Sequence, residues 1–308
     1  METYKLPKSV DLAVMVTIGL MLFCFMFTQI FVASEGQVFL LLLLFVGVLG
    51  VPHGAFDYDV AKKSGLIISR WSAVCFFSCY LLMAFLAFSF WLYWPAAGLM
   101  LFLLVSLWHF SHDWSKRGVV FQSAMALLVI TGPFVFWPQD VMRYFNMLLF
   151  GNTLDLSSHA VHQISHLLII AIVCVIMAKC LQRQWADFME GAILLIGVAV
   201  FSPLFFFIIY FCGLHSMRSL VHLRYELGGS TRRFVLRGLI PTLLTYGLGF
   251  AVYALVPQMK GSSGLLNIVF IGLFSLTIPH IFLDLVMMMP FGGREKKLSG
   301  DTAVDFGL

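Results

Sequence analysis

Charge is what this sequence has least of. Only 11% of its 308 residues are Asp, Glu, Lys or Arg, against roughly 25% in soluble domains. At the same time 61% are hydrophobic and the mean hydropathy is +0.96. No water-soluble fold of this length hides so much apolar surface. The six cysteines, Cys24, Cys75, Cys79, Cys174, Cys180 and Cys212, fall in apolar runs without a CxxC pair, which excludes a zinc ribbon or a disulfide framework. No low-complexity linker and no tandem period is visible, which excludes a solenoid or a tethered second domain. The net charge of +4 is small and scattered over short loops, so it reads as membrane topology and not as a nucleic-acid surface.

What is present is a series of long apolar runs. At about 20 residues per spanning helix, the chain reads as an all-α polytopic transmembrane bundle of nine to ten spans, one integral membrane domain over residues 1–308. The runs lie near 10–33, 37–59, 71–92, 95–115, 119–138, 160–181, 188–202, 203–224, 234–256 and 264–290. The first is too long for a cleaved signal core and is expected to stay as a span. The seventh is short and parted from the eighth only by Ser202 and Pro203, so the pair is either a tight hairpin or one broken, re-entrant element.

Basic residues orient the bundle, because Lys and Arg in short loops stay on the cytoplasmic side. With the N-terminus (Lys5, Lys8) inside, the inner loops hold Lys62, Lys63, Arg70, Lys116, Arg117, Lys179, Arg183, Arg224, Arg232 and Arg233, and the tail holds Arg294, Lys296 and Lys297. The outer loops keep only Arg143 and Lys260. Both termini are therefore expected in the cytoplasm, and a cell (inner) membrane is the expected location. Trp71, Trp91, Trp94, Trp114, Trp137 and Trp185 fall near span ends, where interfacial aromatics gather.

Within these runs a polar pattern repeats. Pro52-His53-x-x-x-Asp57 in the second span returns as Pro279-His280-x-x-x-Asp284 in the tenth, and His109-x-x-x-Asp113 in the fourth repeats its second half. Ionisable groups in hydrocarbon are costly and mark functional sites. His53, His109, His215 and His280 lie on spans that all run inward, each toward the cytoplasmic end, so four imidazoles at one depth can converge. Imidazole suits Fe, Cu and Zn. A carboxylate accepting the other ring N–H would orient each ring, and Asp57, Asp113 and Asp284 are the candidates. The i, i+4 spacing equally allows an Asp to bind the metal directly. His222 is two turns beyond His215 and is held as a reserve ligand. His159, His162 and His166 mark the outer end of the sixth span and read as interfacial, as does His112. Arg218 reads as snorkelling toward lipid phosphate. The 32 Phe and 16 Met would line any cavity beside the histidines with a wall suited to a long hydrocarbon.

These residues resemble the Brp/Blh family of bacterial and archaeal β-carotene 15,15'-dioxygenases, which are encoded beside microbial rhodopsins. The resemblance rests on Pro52-His53-Gly54-x-x-Asp57, Trp108-His109-Phe110 with Asp113, His215-Ser216-x-Arg218, and Pro279-His280 with Asp284. It covers about residues 45–290. It implies a membrane enzyme that uses Fe(II) and O2 to split β-carotene into two retinals, with the product available to a rhodopsin and the substrate entering from membrane lipid. Carried over by position, His53, His109 and His215 are iron ligands. The family pattern His-Ser-x-Arg-His departs here, since its second histidine is Ser219, which leaves serine a role beside the ligands. Either His280 or His222 completes the set, or the chain represents a divergent branch with altered activity; we take His280.

Three other classes stand against this. A proton- or ion-coupled transporter would use the His and Asp residues as a relay, but needs them on both halves of a path. A di-iron desaturase resembles HxxHH boxes, and no two histidines are adjacent here. A rhodopsin needs a mid-span Lys, and every Lys lies in a loop, a tail or near a span end.

Overall fold

The computed structural model describes residues 8–30, 34–152, 159–261 and 263–288. Helices account for nearly all of them, and no strand occurs among them. In lipid each backbone N–H and C=O must find its partner within the segment, so apolar runs of this length have no alternative. The helices are α1 (Lys8–Ile30), α2 (Glu35–Phe45), α3 (Asp57–Lys63), α4 (Arg70–Tyr93), α5 (Pro95–Ser111), α6 (Val119–Phe136), α7 (Pro138–Leu148), α8 (His159–Leu181), α9 (Trp185–Val200), α10 (Pro203–Phe207), α11 (Ser216–Leu227), α12 (Thr231–Leu255) and α13 (Gly264–Met288).

Proline punctuates them. Pro95, Pro138 and Pro203 open α5, α7 and α10, where the missing N–H costs nothing. The residue before a proline is pushed out of the helical region, as Trp94 (ψ 68°) and Trp137 (ψ 49°) show.

Two rods are composite. α2 and α3 are joined through a π turn at Val46–Gly50 and a 3-10 segment at Val51–Phe56, forming one 29-residue pass from Glu35 to Lys63. α10 and α11 are joined through a π segment at Ile208–His215, forming a 25-residue pass. This second rod is the bundle's centre, with 67% of the residues in its apolar stretch buried, against 50% in α13 beside it; α4 (6%) and α12 (11%) form the lipid-facing margin. The close approach of α1 to the central rod depends on Gly213, where a Cβ would stand 3.0 Å from the Thr17 backbone.

Nine helices among the described residues are long and apolar enough to cross a membrane. The seventh expected span is α9, only 16 residues or about 24 Å. It nevertheless runs between the same two levels as α6. Glu190 near its start meets Arg117 at 2.8 Å, and Val198 near its end accepts a hydrogen bond from Trp137 at 3.0 Å. The hairpin reading of spans seven and eight therefore describes the geometry.

Charged pairs mark the two ends. Lys63–Glu226 (3.0 Å), Arg237–Asp59 (3.8 Å) and Arg117–Glu190 gather at one end, whereas Arg143–Glu35 (2.7 Å) lies at the other. Lys5, Arg294, Lys296 and Lys297 lie outside the described residues. Two expected interfacial tryptophans are instead core residues. Trp91 is fully buried and donates to the Leu148 carbonyl, and Trp114 is buried against Glu190. An indole at a span end lies in the interface only if its face of the helix meets lipid, and these two face the bundle.

Candidate metal centre

The helices depart from α geometry at His53 and His215 and just after His109. His53 lies in the 3-10 segment after the π turn, with Pro52 before it; His215 ends the π segment; His109 sits just before α5 tightens into a 3-10 turn at His112–Arg117; His280 follows Pro279 inside α13. Such irregular turns re-aim side chains and cluster at functional sites.

The four rings form a closed circuit. Centroid separations are 5.2 Å (His53–His215), 4.9 Å (His215–His109), 5.4 Å (His109–His280) and 5.7 Å (His280–His53). Ligand atoms of His53, His109 and His215 all lie within 4.8 Å of one another, and so do those of His109, His280 and Asp284. The two groups meet at His109. Nitrogens around one first-row ion stand at most about 4.2 Å apart, at bonds of roughly 2.1 Å, so the rings need only small shifts to share an ion.

The outer nitrogens are held. His53 Nδ1 donates to the Gly50 carbonyl, His215 Nδ1 to Asp113 Oδ1 (3.1 Å), and His280 Nδ1 to Asp57 Oδ1 (2.8 Å). Each arrangement keeps the proton on Nδ1 and leaves the Nε2 lone pair inward, as metal-binding histidines require. His215 Nε2 is buried with no hydrogen-bond partner. An orphaned buried nitrogen costs about 1–3 kcal/mol, and a cation among these rings removes that cost. The residues therefore fit a transition-metal ion.

Two of the three carboxylates are not paired with the histidines of their own helices. Asp57 orients His280 and Asp113 orients His215, each across the bundle. The local helix type explains this. Four residues of α-helix leave two side chains about 40° apart, but four residues of 3-10 helix leave them about 120° apart. Asp57 follows His53 through a 3-10 segment and turns away by about that angle, and Asp113, at the start of the 3-10 turn that follows α5, turns away by less; both reach neighbouring rods. Each also accepts from a tyrosine, Tyr80 Oη on Asp57 (2.9 Å) and Tyr210 Oη on Asp113 (2.7 Å). Exchanging Tyr80 for Phe removes one of Asp57's two donors and frees it to rotate; about a 10-fold loss of activity is expected, at the low end of the range for such outer contacts, with the melting temperature little changed. Steady-state turnover alongside a thermal melt checks this.

Below Asp113 lies a charge cluster that includes Arg218, which is not a snorkelling residue. Its Nη2 donates to Glu190 Oε2 at 2.6 Å and its Nη1 to the Asp113 carbonyl at 3.4 Å. Glu190, 4% exposed, also accepts from Trp114 Nε1 (2.6 Å) and Arg117 Nη1 (2.8 Å). A carboxylate is expensive inside a span, so in proximity to two guanidiniums it stays where lipid cannot reach it. Other expectations are corrected. His222 is 74% exposed and faces Glu226 at 3.9 Å, on the surface. Ser219 makes no hydrogen bond to the rings among the described residues; the serine that approaches them is Ser216, with Oγ 3.4 Å from His53 Nδ1. His166 joins neither group of possible ligands, and the side chains of His159 and His162 lie outside the described part.

A cavity of about 520 Å³ opens onto His53, His109 and His280. Six rods supply its wall, among them Phe76, Phe102, Phe207, Phe211, Pro241 and Leu273, while Asp59, Lys62 and Arg237 form its charged end. An apolar wall with a few convergent polar groups is the usual form of a site for a hydrophobic small molecule.

Fold and site together define a polytopic helical membrane protein with a polyhistidine centre on an aromatic cavity. A family model described as Beta-carotene 15,15'-dioxygenase matches residues 44–288, and the chain belongs to that family of enzymes. It is 27% identical to a Beta-carotene 15,15'-dioxygenase of uncultured marine bacterium 66A03 over 272 residues, 82% of this chain and 95% of the relative. No solved structure matches it.

Proposed function

We propose that this chain splits a carotenoid, β-carotene or a close relative, at its central 15,15' double bond with O2 to give two retinals. Fe(II) held by His53, His109, His215 and His280 is the cofactor. The observation that carries the reading is a closed circuit of four imidazoles from four rods, with neighbouring rings 4.9–5.7 Å apart, open on one side to an apolar cavity. Bound Fe(II) supplies the redox chemistry that lets O2 react with an alkene.

The chain's own residues do the rest. Gly50, Asp113 and Asp57 keep protons on the outer nitrogens of His53, His215 and His280. Phe102, Phe207 and Phe211 fix the polyene across the opening by apolar contact and exclude water from it. In the balanced reaction the C=C bond breaks and each carbon gains one oxygen atom from the same O2, so no outside reductant is consumed. The inner-membrane orientation, with the charge-rich histidine end in the cytoplasm, follows from the basic loops, and the substrate enters laterally from lipid.

Purified protein in detergent, stripped of metal and reloaded with Fe(II), is expected to convert β-carotene to retinal at two molecules per carotenoid, with none formed before reloading. Persistence of β-carotene, or aldehydes of unequal length, overturns the proposal. A transporter relay has no such product, and among the described residues the His and Asp groups of the site gather at one end of the bundle.

A further inference from the structure

We infer that Asp284 binds the metal directly, so that the centre is a mixed imidazole and carboxylate site. This rests on the reading above that the histidines hold a metal. Of the three carboxylates on His-x-x-x-Asp pairs, Asp284 alone stays with the histidine of its own helix, because α13 is regular α-helix over that turn. His280 Nδ1 is already taken by Asp57 at 2.8 Å, so only Nε2 can face an ion. Asp284 Oδ2 lies on that Nε2 side, 3.9 Å away.

That separation is too long for a hydrogen bond, but it suits two donors of one ion, each bonded at roughly 2.0–2.2 Å. His109, the residue shared by both ligand groups, completes the triangle with His280 and Asp284 inside 4.8 Å. Asp57 and Asp113, by contrast, each touch the outer nitrogen of a ring and a tyrosine hydroxyl, as orienting groups do. Asp284 therefore does not orient a ring; it faces the ion. It adds a carboxylate donor to the four histidines in a chain that has Ser219 where the family pattern has a second histidine, and it brings a negative charge that four neutral imidazoles lack.

The test uses Co(II) as a spectroscopic probe of the metal-stripped, full-length protein in detergent. Wild type is expected to bind one Co(II) with a ligand-field spectrum that shifts in Asp284→Asn and Asp284→Ala, with affinity lowered by about 100-fold or more, above the 10–100-fold range for outer partners. Asp284→Glu is expected to restore most of both. Arg143→Ala, which breaks the pair with Glu35 at the opposite end of the bundle, is expected to leave the spectrum unchanged. Wild-type binding with an unaltered spectrum and affinity in Asp284→Ala overturns the inference while leaving the metal centre standing. Failure of wild type to bind Co(II) overturns both. Asp284 is 35% exposed, so its variants are expected to fold, which a thermal melt confirms.

Discussion

Replacing His215 with alanine is expected to abolish the proposed metal retention and retinal formation while the bundle stays assembled. His215 is 2% exposed, stacked on Phe211, and its Nε2 has no hydrogen-bond partner among the described residues. No other nitrogen can take its place, since His222 points to the surface and Ser219 is a poor ligand. Loss of an outer partner alone costs about 10–100-fold in affinity or activity, and loss of the ligand itself exceeds that. His215→Asn separates the two roles of the ring. Its amide can still donate to Asp113 but offers no nitrogen lone pair to the ion, so it is expected to melt closer to wild type than His215→Ala and to be equally inactive. Metal analysis after gel filtration, with chromatography of retinoids, reads the outcome. Wild-type metal content in either variant contradicts the assignment.

The second large effect belongs to a residue outside the histidine ring. Glu190→Ala leaves Arg218 with only the Asp113 carbonyl at 3.4 Å, leaves Arg117 with Asp187 at 3.3 Å, and deprives Trp114 of its acceptor. Removing one partner of a buried ion pair costs about 3–5 kcal/mol, whereas replacing both by apolar groups is often neutral. Glu190→Ala is therefore expected to lower the melting temperature by roughly 10 °C, and the pair Glu190→Met with Arg218→Met to recover part of that. Activity falls as well, because Arg218 and Trp114 brace the segment carrying Asp113, which holds His215. A melt within about 2 °C of wild type would show that the cluster is a bystander.

Most of the site was legible before the fold was known. His53, His109, His215 and His280 stood out because an imidazole in hydrocarbon needs a reason, and depth along each span could be read from loop charge. Glu190 carried the same signal, a charge inside the short seventh run, but it was passed over beside the repeated His-x-x-x-Asp pattern. Tyr80 and Tyr210 carried none, since tyrosine is ordinary in an apolar helix. Arg218 was misread because sequence does not show which face of a helix meets lipid, and the same ignorance placed Trp91 and Trp114 at the interface.

By itself the sequence determined that the chain is a helical membrane bundle of nine to ten spans and which histidines lie at a similar depth, because hydrophobic run length, loop charge and the cost of buried polar groups are properties of local composition. Only the tertiary structure decided which carboxylate serves which histidine. A 3-10 segment widens the angle between residues four apart from about 40° toward about 120°. That rotation sends Asp57 and Asp113 to rings on other rods, while the regular helix of α13 keeps Asp284 beside His280.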